Sequence, residues 1–361
     1  MSTLNASFEE AIRVTPEGNN KYSATLRPEW CIGAGISRLI PANFQAHPWL
    51  IILIVPHGGY TTSVLYRLAL VHFAHAHPNK YSTPASPISL QLSFLRRTLA
   101  GPATMEVEDV KLGARTSTIH IKLLQPSEKK PNESEIKVAG YITVSPPDAE
   151  IGITASTGWK PHPTPPIGSG PGGEINFSAL ASKGSDGRWI KLEPPFPEFR
   201  RAAAQLELYG PGKGDEQQKE TGSMAIDQWA RFRPNGDVNG RWTDAAIPYL
   251  IDMFPMALDG FDTVSANATA KEQGKGGASE GDKAKFWYPT VTLNVDMKKH
   301  LPVEGVEWLY SRIVTKVVRD GRTDLDVTVL DQNGDVIALS TQVGLVVSAS
   351  RNLGTRKMQK L

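Results

Sequence analysis

The sequence predicts an α+β protein made of two copies of one unit, each a long helix wrapped by an antiparallel sheet. Three observations carry this prediction. Both halves of the chain read in the same order, one helical stretch followed by strands of alternating hydrophobicity. A stretch rich in Pro, Gly, Ser and Thr, 146–187, separates them and reads as a linker with little regular structure. The chain's 361 residues also exceed what one domain of about 100–200 residues usually holds. The division that follows is a first unit over 1–145, the linker, a second unit over 188–350 and a basic tail over 351–361.

In the first unit the turn His57-Gly58-Gly59-Tyr60 opens a helical stretch, 61–77, with Leu65, Leu68 and Val71 to Phe73 near helical spacing. Strands follow. Leu90, Leu92 and Phe94 alternate with Gln91 and Ser93, Met105 and Val107 with Glu106 and Glu108, and Ile119, Ile121 and Leu123 with His120 and Lys122; 136–144 closes the series. In the second unit Thr243 offers an N-cap to a helix over 245–258, where Ile247, Leu250, Ile251 and Phe254 fall at i, i+3, i+4 and i+7. Strands are predicted at 291–297, 308–318, 323–330 and 336–347, the last two joined by the hairpin signal Gln332-Asn333-Gly334. Gly113-Ala114-Arg115-Thr116 and Gly321-Arg322-Thr323 hold the same place in the two units. A polar stretch, 266–285, reads as a surface loop.

Composition excludes several classes. Lys plus Arg total 39 against 37 Asp plus Glu, and a net charge of +2 gives no footprint for nucleic acid. The single cysteine, Cys31, can form neither an internal disulfide nor a thiolate metal cage. A reducing compartment, the cytoplasm, fits it. The longest apolar run, 49–55, is far short of the ~20 residues that span a bilayer, and 1–14 carries Glu9 and Glu10 and lacks a secretory apolar core. The end, Gln359-Lys360-Leu361, is similar to the Ser-Lys-Leu peroxisomal address and names the alternative compartment.

Val291-Thr292-Leu293-Asn294, Pro302, Glu307-Trp308-Leu309-Tyr310 and the run 335–345 together resemble the carboxy-terminal half of double-hotdog acyl-CoA thioesterases of the type II class, of the fungal type. His57-Gly58-Gly59-Tyr60, Leu92-Ser93-Phe94-Leu95-Arg96 and Gly113-Ala114-Arg115 resemble that family's first hotdog. The resemblance implies a double hotdog and an acyl-CoA or acyl-pantetheine substrate, hydrolysed by direct water attack without a resident cofactor or metal. It also implies that Asp252, Thr292 and Gln342 hold the water. Two features depart from the family: Asn294 stands where relatives often carry Asp, and 35–54 reads as an insertion before the first helix.

Residue chemistry gives its own reading of these positions. Asp252 lies in an apolar helical stretch, where burial would raise its pKa and poise it as a base; an exposed helix edge is the alternative. Gln342 shares a strand face with Ala338, Ser340 and Gly344, and Thr292 shares one with Asn294 and Asp296; without the resemblance, both read first as solvated polar faces. Gly58 and Gly59 at a helix start are candidate oxyanion donors. Arg96, Arg97, Arg115 and Arg322 could meet the phosphates of CoA.

Other constellations are weaker. Gly277-Ala278-Ser279-Glu280-Gly281 matches a nucleophile-elbow pattern but lies in the polar loop. His72, His75 and His77 have no carboxylate nearby in sequence and read as a helix C-terminal tract. A catalytically silent acyl- or polyketide-binding or tailoring protein is the second reading. A dehydratase is disfavoured because His57 has no acidic neighbour along the chain. Two fused units form an internal pseudo-dimer, and an exposed sheet edge leaves a homo-oligomer possible.

Overall fold

The computed structural model describes residues 7–33, 54–162, 164–165, 175–193, 200–212, 225–254 and 286–348. Residues 35–53 of the expected insertion, the polar loop 266–285 and the tail 351–361 lie outside them.

The first unit opens with a short helix α1 (Phe8–Ala11) and a hairpin of β1 (Val14–Gly18) and β2 (Lys21–Leu26). Asn19 and Asn20 form its turn with φ of 51° and 55°, the left-handed pair that a two-residue hairpin loop requires. The short pair β3 (Cys31–Ile32) and β4 (Val55–Pro56) follows, with Ile32 opposite Val55. The chain thus returns beside its point of departure across the expected insertion, and the long helix α2 (Gly58–Ala76) still starts at the glycine turn. Its first two turns are buried on every side, as befits a helix at the centre of a sheet's wrap. Four strands come next, β5 (Ser86–Phe94), β6 (Gly101–Leu112), β7 (Ser117–Pro126) and β8 (Ser134–Ser145).

The second unit repeats this order. A helix α3 (Phe177–Lys183) and β9 (Trp189–Leu192) lead to the hairpin β10 (Leu206–Pro211) and β11 (Ala225–Phe232), then helix α4 (Ile247–Ile251) and a two-residue strand β12 (Phe286–Trp287). The closing strands are β13 (Thr290–Met297), β14 (Trp308–Val314), β15 (Val318–Arg319), β16 (Arg322–Leu330), β17 (Val336–Leu345) and β18 (Val347–Ser348). The hairpin before each helix is the element that the hydrophobic pattern did not predict.

One sheet runs β1-β2-β6-β7-β8-β5-β13-β17-β16-β14-β11-β10-β9, with β15 attached to β16. The order is mirrored about the β5–β13 junction, where Ser93 pairs with Thr292 and Ser89 with Asp296. This is a double hotdog: two α+β units joined edge to edge into one antiparallel sheet around their helices. One apolar core spans both units. At its centre Trp30 stacks on Tyr60 at 5.6 Å and meets Tyr249 edge-on at 5.2 Å.

Three expectations are corrected. The helix predicted over 245–258 is a 3-10 turn (Asp244–Ala246) followed by α4, which ends at Ile251. The cause is Pro255: it has no N–H for the Ile251 carbonyl, and it disfavours helical backbone at Phe254. The Thr243 side chain does not cap the turn; Asp244 instead accepts from the Leu301 amide at 2.8 Å and lies 2.7 Å from His300 Nδ1. The stretch 146–187 ends not as irregular chain but in α3, which Asn176 caps through the Ala179 amide and Gly184 terminates at φ 73°. Leu180 of that helix packs with Trp189, Trp229 and Trp308. Among the described residues no helix is long and apolar enough to cross a membrane.

Candidate active site

At the seam between the units, the start of α2, the end of α4, and the facing ends of β5 and β13 surround a cavity of about 370 Å³, within the usual size of small-molecule sites. Its walls are mostly apolar, with Val55, Phe94, Phe254, Tyr288 and Leu345 among them, and Arg96, Arg97 and Arg200 also line it. Among the described residues, Asp252, His57 and Arg200 are buried ionisable groups in its wall.

Asp252 is the residue after α4 and is 3% exposed. Its Oδ2 accepts from the Gly59 amide at 2.7 Å and its Oδ1 from the Thr290 hydroxyl at 2.9 Å. His57 Nδ1 lies 3.5 Å from Oδ2. Burial pushes the Asp252 carboxyl above the ordinary carboxylate range, opposed by His57, the Thr290 hydroxyl and the Gly59 amide. Burial likewise pushes His57 down, opposed by Asp252. Burial thus disfavours the charged form of each group, while the charge of either favours that of the other.

Gln342 is buried, and its Nε2 donates to the Ile251 carbonyl at 3.1 Å. That carbonyl is the one Pro255 leaves without a helical partner, so the Gln342 amide completes the helix end beside Asp252. Gln228 does the same for the Met253 carbonyl at 3.3 Å. A carbonyl only accepts, which fixes the orientation of the Gln342 amide. Its Oε1 is left buried with no hydrogen-bond partner among the described residues.

Thr292, the expected third member, is not brought to Asp252. Thr290 opposes Gly344 and Thr292 opposes Val343, so Val291 is an extra, bulged residue. The bulge turns Thr290 inward, while Thr292 stays on the outward face with Asn294 and Asp296. Asn294 is exposed and donates to Thr341 at 3.2 Å, so the missing charge there falls outside the site. Gly59 is not a free oxyanion donor either, because its N–H is spent on Asp252; Gly58 remains, at the cavity wall and the first position of α2. His57, Thr290 and Gln228 are the site residues that sequence reasoning missed. His57 does have an acidic neighbour, in space rather than along the chain.

Cys31 is buried, donates to the Arg27 carbonyl at 3.2 Å, and has a thiol pKa pushed well up by burial. It is a packed thiol and not a nucleophile.

Residues 45–145 match the acyl-CoA thioesterase N-terminal domain family, and residues 178–346 match the acyl-CoA thioesterase C-terminal domain family. The chain belongs to the acyl-CoA thioesterase family. Among relatives of this chain, the thioesterase-like protein TwmA of Talaromyces wortmannii is 28% identical over 97% of this chain and 95% of its own length. Two solved structures share the fold. A hot dog fold protein from Alicyclobacillus acidocaldarius superposes with a TM-score of 0.58 at 16% identity, over 95% of this chain and 98% of that one. Acyl-CoA thioesterase II TesB2 from Mycobacterium marinum superposes with a TM-score of 0.55 at 15% identity, over 96% of this chain and 100% of that one.

Proposed function

We propose that this family member hydrolyses an acyl thioester of CoA, or of another pantetheine carrier, by direct attack of a water held between Asp252 and Gln342. The observation that carries the reading is the Gln342 Oε1, a buried acceptor with no partner among the described residues, on the side chain that holds the Ile251 carbonyl one residue before the buried Asp252. Two acceptors take the two hydrogens of one water and leave its lone pair free for the thioester carbon. Asp252 takes the proton as the C–O bond forms, and the same proton leaves with the thiolate sulfur as the C–S bond breaks. General-base assistance of this kind contributes about 10²- to 10⁴-fold. The Gly58 N–H, free of the helical ladder, suits the developing oxyanion. Arg96 and Arg97 at the cavity wall suit the phosphates of the carrier. Arg96 also meets the Ile136 carbonyl and Glu135, and Arg115 is turned to the Ala149 and Ile151 carbonyls, away from the cavity wall.

Release of free thiol from acyl-CoAs of graded length tests the proposal; no release at any length would favour the silent acyl-binding reading. In the same assay Thr290→Val should lower the rate about 10- to 100-fold, the equivalent of losing a hydrogen bond to a charged group. Thr292→Val should leave it nearly unchanged. The reverse order would restore Thr292 to the site.

The contact of His57 with Asp252 favours a second reading, dehydration of a 3-hydroxyacyl thioester. In it His57 would take the proton next to the thioester carbonyl while a protonated Asp252 gives its proton to the departing hydroxyl. A 3-hydroxyacyl-CoA separates the two by product. Free thiol with no enoyl thioester supports hydrolysis, whereas enoyl thioester formed by wild type and lost in His57→Gln supports dehydration.

A further inference from the structure

The other end of α2 holds a second cluster of ionisable side chains. His72, on the last full turn, is wholly buried. His77 caps the helix with φ −131°, a non-helical backbone that folds its ring back to 5.3 Å from the His72 ring. Across from them, β6 has an irregular register against β7 between Asp109 and Lys111. Asp109 reaches both imidazoles there: Oδ1 lies 2.9 Å from His72 Nε2, and Oδ2 lies 2.9 Å from His77 Nε2. The carboxylate that the histidine tract lacked in sequence thus comes from a strand.

We propose that His72, His77 and Asp109 form a binding site for a divalent first-row transition metal ion, with Zn²⁺ the favoured occupant. The donor atoms all lie within 4.8 Å of one another, so shifts of a few tenths of an ångström to about 1 Å bring each within the ~2.0–2.2 Å that Zn²⁺ takes with imidazole and carboxylate. The donor set argues for this class of ion and against Ca²⁺ or Mg²⁺, which take oxygen ligands. The surroundings supply the outer hydrogen bond that metal-bound histidines usually have: the Tyr22 hydroxyl lies 2.8 Å from His72 Nδ1, the nitrogen turned away from Asp109. With Nε2 on the metal, Nδ1 carries the proton and donates it to the Tyr22 oxygen. The Asp109 and His77 side chains are 24% and 19% exposed, which leaves water access to the remaining coordination positions.

The site is remote from the thioester chemistry. His57 and His72 stand near opposite ends of α2, about 20 Å apart at 1.5 Å per residue. The metal would clamp the end of the central helix to β2 and β6 and take no part in turnover.

The test uses the full chain, stripped with a chelator and titrated with Co²⁺ and Zn²⁺ by calorimetry and visible absorption. Expected are one equivalent bound, ligand-field bands from Co²⁺ that Zn²⁺ displaces, and a higher melting temperature in the presence of metal. His72 is buried, and its replacement could unfold the protein; the decisive variants are therefore the part-exposed His77→Gln and Asp109→Asn. Each should weaken binding at least tenfold while circular dichroism and thiol release stay unchanged. No saturable binding by wild type, or equal binding by the double variant, would overturn the proposal and leave a hydrogen-bonded His–Asp–His staple.

Discussion

Asp252→Asn is expected to reduce thiol release by about 10²- to 10⁴-fold while the protein stays folded, because the substitution removes the proposed base and keeps the shape. The pH profile supplies an independent sign. Burial raises the carboxyl pKa, so the working, ionised form accumulates only as pH rises through that raised value. Wild-type activity should therefore climb with pH on a limb whose midpoint lies above the ~3.9 of an unperturbed Asp. Stability moves the other way. A carboxyl with a higher pKa folded than unfolded gives its full contribution below the unfolded value and loses it as pH rises through the folded one. The charge that the proposed mechanism needs thus costs the fold, and this alkaline loss should be absent in the Asn variant. Steady-state kinetics and thermal melts across pH measure both. Thiol release within threefold of wild type in Asp252→Asn would remove Asp252 from the mechanism.

Gly59→Ala should be the most damaging single methyl group at the site. A Cβ there would lie 2.6 Å from the Pro248 carbonyl oxygen, 2.9 Å from the Tyr249 Cα and 2.9 Å from the Asp252 Cβ. Two of the three are backbone atoms of α4, which cannot step aside as a flexible side chain would. Relief requires α2 and α4 to separate, and the Gly59 amide then leaves Asp252. The expected cost is about 1–3 kcal/mol or more, visible as a drop of several degrees in melting temperature, together with a loss of activity from the displaced carboxylate. Gly58→Ala meets chiefly the Asp252 Oδ2, at 2.6 Å, and should cost activity more than stability. An unchanged melting temperature in Gly59→Ala would mean that the two helices are not in this close contact.

The sequence exposed the architecture where hydrophobic period and burial agree. Ile119, Ile121 and Leu123 are buried as their alternation demands, as are Ile247, Leu250 and Ile251. It exposed the inward placement of polar groups where that depends on local pattern: Asp252 and Gln342 are both buried. The threonine was hidden because Val291, Leu293 and Val295 alternate without a break, and the bulge at Val291 shows only against the partner strand. His57 and Asp109 were invisible as partners because each meets its counterpart across a fold that the pattern does not encode. Two signals were readable: the Asn19-Asn20 turn announces the first hairpin, and Pro255 announces an orphan carbonyl on Ile251 that some donor must reach.

The mirrored strand order places a counterpart of this centre at the opposite end of the β5–β13 junction. Tyr66 stands as far beyond Gly58 as Asp252 stands beyond Asp244, and Ser86 opens β5 as Thr290 opens β13. Tyr66 hydrogen-bonds Ser86, and burial and the nearby Asp244 hold its phenol neutral. A neutral phenol cannot draw a proton from water, and Asp244 is occupied by Leu301 and His300. The duplicated halves thus differ at the two ends of the junction: one end carries the ionisable pair on which the proposed hydrolysis rests, and its twin carries a neutral phenol and an occupied carboxylate.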